Sequence, residues 1–275
     1  MPITGTPRTY LTVSPPPKVT GGLLAWANVV SPSDPHMVLG GEYLTIMCQE
    51  AGIWADLCTP APATPCNPTG STVTKNFDEP ELIVGDPIVV YAGVKCHSFT
   101  SAQQNENLAN ARMVLEYTED RVMEQQLLQT ALTYGTDLGA GPFGVNKAMG
   151  LLEQWLDLEY AGQGLIHMSR QAATEAQSMH LLEADLDGRL RTINGTPVVN
   201  GRGYYTGTFP AIDGMKMFAT GQVTLIKGKV VTQAVDEMIV DTATCYPPRA
   251  LAERVWTQLV ECGIGYTTTM HATVT

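Results

Sequence analysis

Charge is scarce in this 275-residue chain. Asp, Glu, Lys and Arg together make up 16% of it, where a globular domain usually carries about a quarter. A monomer so poor in charge would struggle to cover its surface with solvated groups, which predicts that neighbours cover much of it. The charge that is present is mostly negative, 27 acidic against 16 basic residues for a net of −11, which argues against a broad grip on a phosphate backbone. No apolar run approaches the roughly 18 residues that cross a bilayer, so no membrane association is expected. The opening MPITGTPRTY lacks a basic segment followed by an apolar one, and no secretory leader is expected there. A soluble chain made in a cytosol is the expectation.

Signatures of chemistry are missing as well. The six cysteines, at 48, 58, 66, 96, 245 and 262, contain no C-x2-C pair and match no zinc spacing. Cys48, Cys58 and Cys66 share a Pro-rich region and could meet in space; in a reducing compartment, unpaired thiols are the expectation. There is no phosphate-binding G-x-x-x-x-G-K-[ST] and no G-x-S-x-G elbow. Gly201-Arg202-Gly203-Tyr204-Tyr205-Thr206-Gly207 spaces its glycines wrongly for a dinucleotide fold and opens no helix. His36, His97, His167, His180 and His271 are scattered without metal spacing, and His167, inside an apolar strand, reads as a hydrogen-bonded core histidine. Cys96 and His97 adjoin, but neighbours on a strand point to opposite faces. Asp236, Glu237 and Asp241 lack the glycine-bearing loop of a calcium site and read as a solvated loop. No catalytic residue, cofactor or metal is expected, and no enzyme.

What is present is long pieces that a single subunit cannot easily bury. Residues 1–35 form an arm: Ser14-Pro15-Pro16-Pro17 fixes an extended course, and the patch Leu23-Leu24-Ala25-Trp26 predicts that the arm docks on something. Residues 40–95 read as a two-stranded excursion, with Tyr43–Cys48 outgoing and Leu82–Val84 and Ile88–Tyr91 returning. The Pro-rich stretch Pro60–Pro68 between them cannot join a ladder. Gln104–Tyr134 contains neither Pro nor Gly, and it predicts a helix about 45 Å long. Leu108, Ala111, Leu115, Thr118 and Val122 give its apolar face. Glu116, Asp120 and Glu124, with Glu119 beside them, form an acidic stripe. That stripe is either a solvated face or a surface awaiting basic groups from another segment or subunit. Further helices are predicted at Val145–Tyr160 and from the N-cap Ser169 to about Asp187. Hairpin pieces follow around Asn194-Gly195, with strands at Met215–Ala219, Val223–Ile226 and Val230–Val240. Arg249–Cys262 is ambiguous between helix and strand. The composite is a turn-rich α+β chain built for assembly.

The ordered segments resemble a known family. Asp86-Pro87-Ile88-Val89-Val90-Tyr91-Ala92-Gly93-Val94-Lys95-Cys96, running into ENLANARMVLEYTEDRVMEQQLL at Glu106–Leu128, is similar to the strand and spine helix of major capsid proteins of tailed actinobacteriophages. The run Gly164–Arg170, then Asp187–Thr192, then Gly195-Thr196-Pro197-Val198-Val199-Asn200-Gly201-Arg202-Gly203-Tyr204, resembles the same family in the same order. The likeness covers roughly residues 85–260, and the arm fits by position and character.

The resemblance implies the Hong Kong 97-type capsid fold. Its parts would be an N-terminal arm at 1–39, an E-loop at 40–85, a P-domain with the spine helix at 86–149, an A-domain at 150–245, and a return to the P-domain at 246–275. It implies self-assembly into hexamers and pentamers of an icosahedral head around double-stranded DNA, without sequence-specific binding. Scaffolding, portal and decoration proteins are the implied partners, the virion the implied location, and the host bacterial cytoplasm the place of assembly. An acidic lumen would keep the DNA movable. Lys75 lies in the loop where some relatives crosslink, but no matching motif accompanies it and no crosslink is expected. The residues put forward for contacts between subunits are Trp26, Lys75, Glu116, Glu119, Asp120, Glu124 and Arg202, with Arg8, Lys18 or Lys75 of a neighbour facing the stripe. An encapsulin-like compartment, a tail-tube or ring-forming virion protein, and a small-molecule enzyme are the alternatives.

Overall fold

In the computed structural model, the described residues are 21–48, 81–94, 101–139, 143–205, 215–233 and 250–269, together with 17 and 141. Arg8, Lys18, Lys75, Pro60–Pro68, Cys58, Cys66 and the acidic trio at 236–241 lie outside them. The described part begins with a one-turn helix α1 (Leu23–Trp26) and strand β1 (Asn28–Val30), then a 3-10 turn at Pro35–Val38. Strands β2 (Gly41–Thr45) and β3 (Glu81–Gly85) pair with each other and with no other described strand. Then come β4 (Pro87–Val94), the long helix α2 (Ser101–Tyr134), β5 (Thr136–Asp137), α3 (Val145–Glu159), β6 (Leu165–Ser169) and α4 (Arg170–Ser178). Strands β7 (Leu182–Ala184), β8 (Leu190–Thr192), β9 (Pro197–Gly201), β10 (Met215–Thr220), β11 (Val223–Lys227), β12 (Val231–Gln233), β13 (Ala250–Val260) and β14 (Ile264–Thr269) complete it. The fold is mixed α+β.

Two sheets organise these pieces. One has the order β1-β11-β13-β12, with β4 added along β13 through eight antiparallel pairs from Pro87↔Thr257 to Val94↔Ala250. The other runs β5-β14-β10-β6-β9-β8-β7. Helix α2 packs on β4 and β13 of the first sheet, and the core it shares reaches Leu165, Val199 and Phe218 on the near face of the second. Helices α3 and α4 cover the far face, where Ile166, Met168, Val198 and Met217 point. Strand β6 is therefore buried on both sides, and all five of its residues are inaccessible. Each large apolar side chain buried this way stabilises the fold by about 1.5–3 kcal/mol. Among the described residues, no helix is long and apolar enough to cross a membrane.

Several sequence readings change here. The buried face of α2 runs through Asn107, Ala111, Leu115, Glu119, Met123 and Leu127, with Leu108 and Val122 packed at its edge and Thr118 off it. Thr118 is exposed and Val122 only half-buried, because a carboxylate occupies the centre of the face and an arginine from β13 meets it. The helix predicted to reach Asp187 stops at Ser178. His180 takes a left-handed φ of 57°, and the Leu181 N–H closes back on the Ala176 carbonyl at 3.0 Å, so the chain turns into β7. The ambiguous segment 249–262 is an eleven-residue strand alternating buried and half-buried positions. Within 150–245, β11 and β12 join the sheet under α2 rather than the sheet holding β6–β10.

Candidate functional site

The acidic stripe of α2 is not a solvated face. Glu119 is 3% exposed and forms a two-oxygen ion pair with Arg254 Nη1. Strand alternation explains why Arg254 is there: Ala250, Ala252, Arg254 and Trp256 share the face of β13 turned to α2, all of them buried. Trp256 also lies near two cations, Lys227 Nζ at 5.2 Å and Arg254 Cζ at 5.8 Å from its ring centroid.

One turn on, Glu124 is fully buried and acts as an anchor for two loops. Its Oε1 accepts from the Leu23 N–H at 3.0 Å and its Oε2 from the Gly203 N–H at 2.7 Å. Asp120 Oδ1 accepts from the Leu24 N–H at 3.3 Å. The unpaired amides at the start of α1 thus end on two carboxylates of α2. Glycine is required at two of these positions. A Cβ on Gly22 would collide with the Asp120 carboxylate, and one on Gly203 would collide with the Arg121 carbonyl. Gly201 and Gly203 therefore bring backbone close to helix α2. Burial, and then the neighbouring Asp120 charge, push the Glu124 carboxyl up to about 7. Its amide donors pull the other way.

Of the remaining predicted contact residues, Lys75 lies outside the described residues, and Trp26, Arg202 and Glu116 make contacts within the chain. Trp26 is half-buried against the core, with Arg189 and Arg191 guanidinium carbons 5.2 and 5.1 Å from its ring. Arg202 Nη2 donates to the Tyr117 carbonyl at 2.8 Å. Glu116 pairs with Arg112 at 3.0 Å, near the surface. A cleft of about 510 Å³ lies between the α1 start, α2 and the Gly188–Arg189 turn. Of the two readings of the stripe, a basic group from another segment meets it at Glu119, where Arg254 of β13 pairs with it. Its inner members are spent on Arg254 and on backbone amides of the same chain.

His167 is the core histidine that the sequence suggests, fully buried and stacked on Phe218 at 4.5 Å. Its Nδ1 lies 2.9 Å from Tyr204 Oη and its Nε2 2.9 Å from Thr220 Oγ1. Thr220 spends its own proton on the Gly221 carbonyl at 2.9 Å, so Nε2 carries the ring proton and Tyr204 donates to Nδ1. Both partners fit a neutral ring, and burial lowers the His167 pKa to about 3. An unfolded histidine takes up a proton near 6.5, so this contribution is present above pH 6.5 and lost as pH falls through about 3. Glu124 has the opposite sign: its contribution is present below its ordinary 4.5 and lost as pH rises through about 7. Between pH 4.5 and 6.5 the slopes oppose. Urea midpoints measured across pH should therefore show a plateau there and a fall on either side.

A third cluster runs beneath the β2–β3 ribbon to its Thr45–Glu81 end. Glu261 accepts from Tyr43 Oη at 2.8 Å and from Tyr160 Oη at 2.7 Å, and burial holds both phenols well above their usual pKa. The Ala161 N–H donates to the Met47 carbonyl at 2.9 Å. Cys48 and Cys262 are joined in a disulfide, which corrects the expectation of unpaired thiols for these two. A Glu81 carboxylate oxygen lies within 4.8 Å of both sulfurs. With the sulfurs bonded to each other, this trio offers no thiolate to a metal. Sequence reasoning missed Arg254, Glu261 and Cys262. Only Arg254 had a signal, its place in the alternating Ala250-Ala252-Arg254-Trp256 series.

The class the described residues define is a two-sheet α+β fold with a long helix between the sheets, a one-turn helix α1 held on that helix and a two-stranded ribbon seated on β11 and β13. No family model and no curated protein matches the sequence. Among solved structures, the chain is similar to the capsid of cyanophage P-SCSP1u at 11% identity, over 98% of this chain and 94% of that one, with a TM-score of 0.45. It is similar to a chain of Mycobacterium phage Bobi at 9% identity, over 97% and 96%, with a TM-score of 0.49. For the capsid of the native GTA particle the values are 13%, 94% and 100%, and 0.47. With TM-scores below 0.5, none of these likenesses assigns a role to a residue here.

Proposed function

We propose that this chain is a major capsid subunit of Hong Kong 97 type, assembling into hexamers and pentamers of a tailed-phage head around double-stranded DNA. In that reading α2 is the spine helix, β2–β3 the base of the E-loop, and residues 1–39 the arm. The partners are other copies of the chain, with scaffolding, portal and decoration proteins beside them. The ordered sequence motifs point to this family. The structural observation that carries the reading is the ribbon β2–β3.

The inner face of the ribbon is seated on the body through Ile83, Val38, Ile226 and Leu259. Its outer face presents Leu44, Ile46, Leu82 and Val84, each 52–66% exposed. Val89 and Tyr91 of β4 are exposed as well. An apolar strand face this wet is an interface awaiting a neighbour. Replacing Leu44 and Val84 together by Asp should abolish assembled particles in sedimentation while leaving the circular dichroism of the subunit unchanged. Assembly at wild-type yield would remove the ribbon face from the interface.

Of the acidic stripe, Glu116 is the member proposed to face a neighbouring subunit, and its charge reversal should reduce assembly of a folded subunit. Asp120 cannot serve as a clean test, because it also caps α1.

A further inference from the structure

We propose that Cys48 and Cys262 form a redox-set clamp at the Thr45–Glu81 end of the β2–β3 ribbon, open as two thiols during synthesis and closed as a disulfide afterwards. A two-stranded ribbon is marginal by itself. Among the described residues its attachment includes a small apolar cluster, the Tyr43–Glu261 hydrogen bond, the Ala161–Met47 hydrogen bond and one covalent link. The link joins residues 214 apart in sequence, with Cα atoms 5.0 Å apart, and so ties the Thr45–Glu81 end of the ribbon to the turn between β13 and β14. Cys262 is held at a left-handed φ of 56° beside Gly263 at 74°. That conformation is unfavourable for a residue bearing a Cβ, and it presents the sulfur to Cys48.

Such a bond is not stable to the thiol pools of a bacterial cytoplasm during synthesis. The order of the two states therefore rests on the capsid reading, since a virion leaves the compartment that makes it; the clamp itself does not. Closure is thiol–disulfide exchange with a low-molecular-weight disulfide. One protein thiolate attacks that disulfide and releases one small thiol. The second protein thiolate then displaces the other small thiol. The two protein sulfurs are oxidised, the small disulfide is reduced, and the two protons end on the small thiols. Glu81, with its carboxylate within 4.8 Å of both sulfurs, disfavours the thiolate and slows each step.

The test uses the full chain, purified under reducing conditions and transferred to millimolar oxidised glutathione. Mass spectrometry after alkylation should show a Cys48–Cys262 cross-linked peptide. Amide exchange in residues 41–45 and 81–85 should slow about tenfold, and Tm should rise by roughly 10 °C. Cys48→Ser should show neither change, and Glu81→Gln should reach the linked state several-fold faster. If the variants fold poorly, the wild-type chain with and without reductant gives the same comparison. Thiols that stay alkylatable, linkage of either cysteine to a different one, or a linked chain with unchanged exchange in both strands would overturn the clamp. Linkage and slowed exchange in a chain that forms no particles would leave the clamp standing and remove the capsid reading.

Discussion

Replacing Arg254 by Ala should cost about 3–5 kcal/mol of unfolding free energy, one of the two largest single-residue effects expected in this protein. The cost is not the intrinsic worth of the ion pair. It arises because Glu119, 3% exposed in the middle of the buried face of α2, would be left as an uncompensated carboxylate against the α2–β13 core. The partner has no route to water. Helix α2 packs along β13 and β4, and Trp256 closes the next position of the strand. Truncating both members, Glu119→Leu with Arg254→Met, should recover most of the loss, since an apolar pair of similar volume removes the desolvation penalty. Urea denaturation of the two variants measures both quantities. A single Arg254→Ala loss under 1 kcal/mol would mean that the pair is solvated, contrary to its geometry.

Glu124 carries the second. Glu124→Ala removes the acceptor for the Leu23 and Gly203 amides, leaves buried donors unsatisfied, and should cost on the order of 3 kcal/mol while releasing the start of α1. Glu124→Gln is the informative companion. With the carboxyl pushed up to about 7, the folded state holds a proton that the unfolded chain has released between pH 4.5 and 7. The contribution of this group therefore declines through that window by up to about 3 kcal/mol, which offsets the opposite slope of His167 up to pH 6.5. An amide cannot titrate, so the glutamine variant should lie close to wild type near pH 5, rise up to pH 6.5 where wild type is flat, and lose the fall above it. An unchanged pH profile in Glu124→Gln would show that another group sets it.

The contrast between these two glutamates and the sequence pattern shows what was legible. Runs with a clear period and good punctuation were readable. Gln104–Tyr134 is the observed α2 shortened by three residues at its start, Val145–Tyr160 is α3 to within a residue, and Ser169 does cap α4, its hydroxyl accepting from the Ala172 N–H at 3.2 Å. His167 was readable because an imidazole carried into the core by an apolar strand must find hydrogen-bond partners there. The function of the acidic stripe was not readable. Its meaning depends on Arg254, 135 residues away from Glu119, and on backbone amides of Leu23 and Gly203, which leave no mark in side-chain pattern. The same limit applies to Cys262. Compartment arguments favour unpaired thiols, while the pairing depends on how β13 ends and where the Thr45–Glu81 end of the ribbon lies. Local chemistry was encoded locally, and the site was assembled from long-range meetings that no window of sequence contains.

Reading the chain as a shell subunit leads to one direct observation. On the proposed reading, the 275-residue chain, expressed alone and imaged by electron cryomicroscopy, should form closed icosahedral shells in which the outer face of β2–β3, with Leu44 and Val84, is buried against an adjacent subunit. A homogeneous monomer at all concentrations, or shells in which that face remains in solvent, would contradict the account.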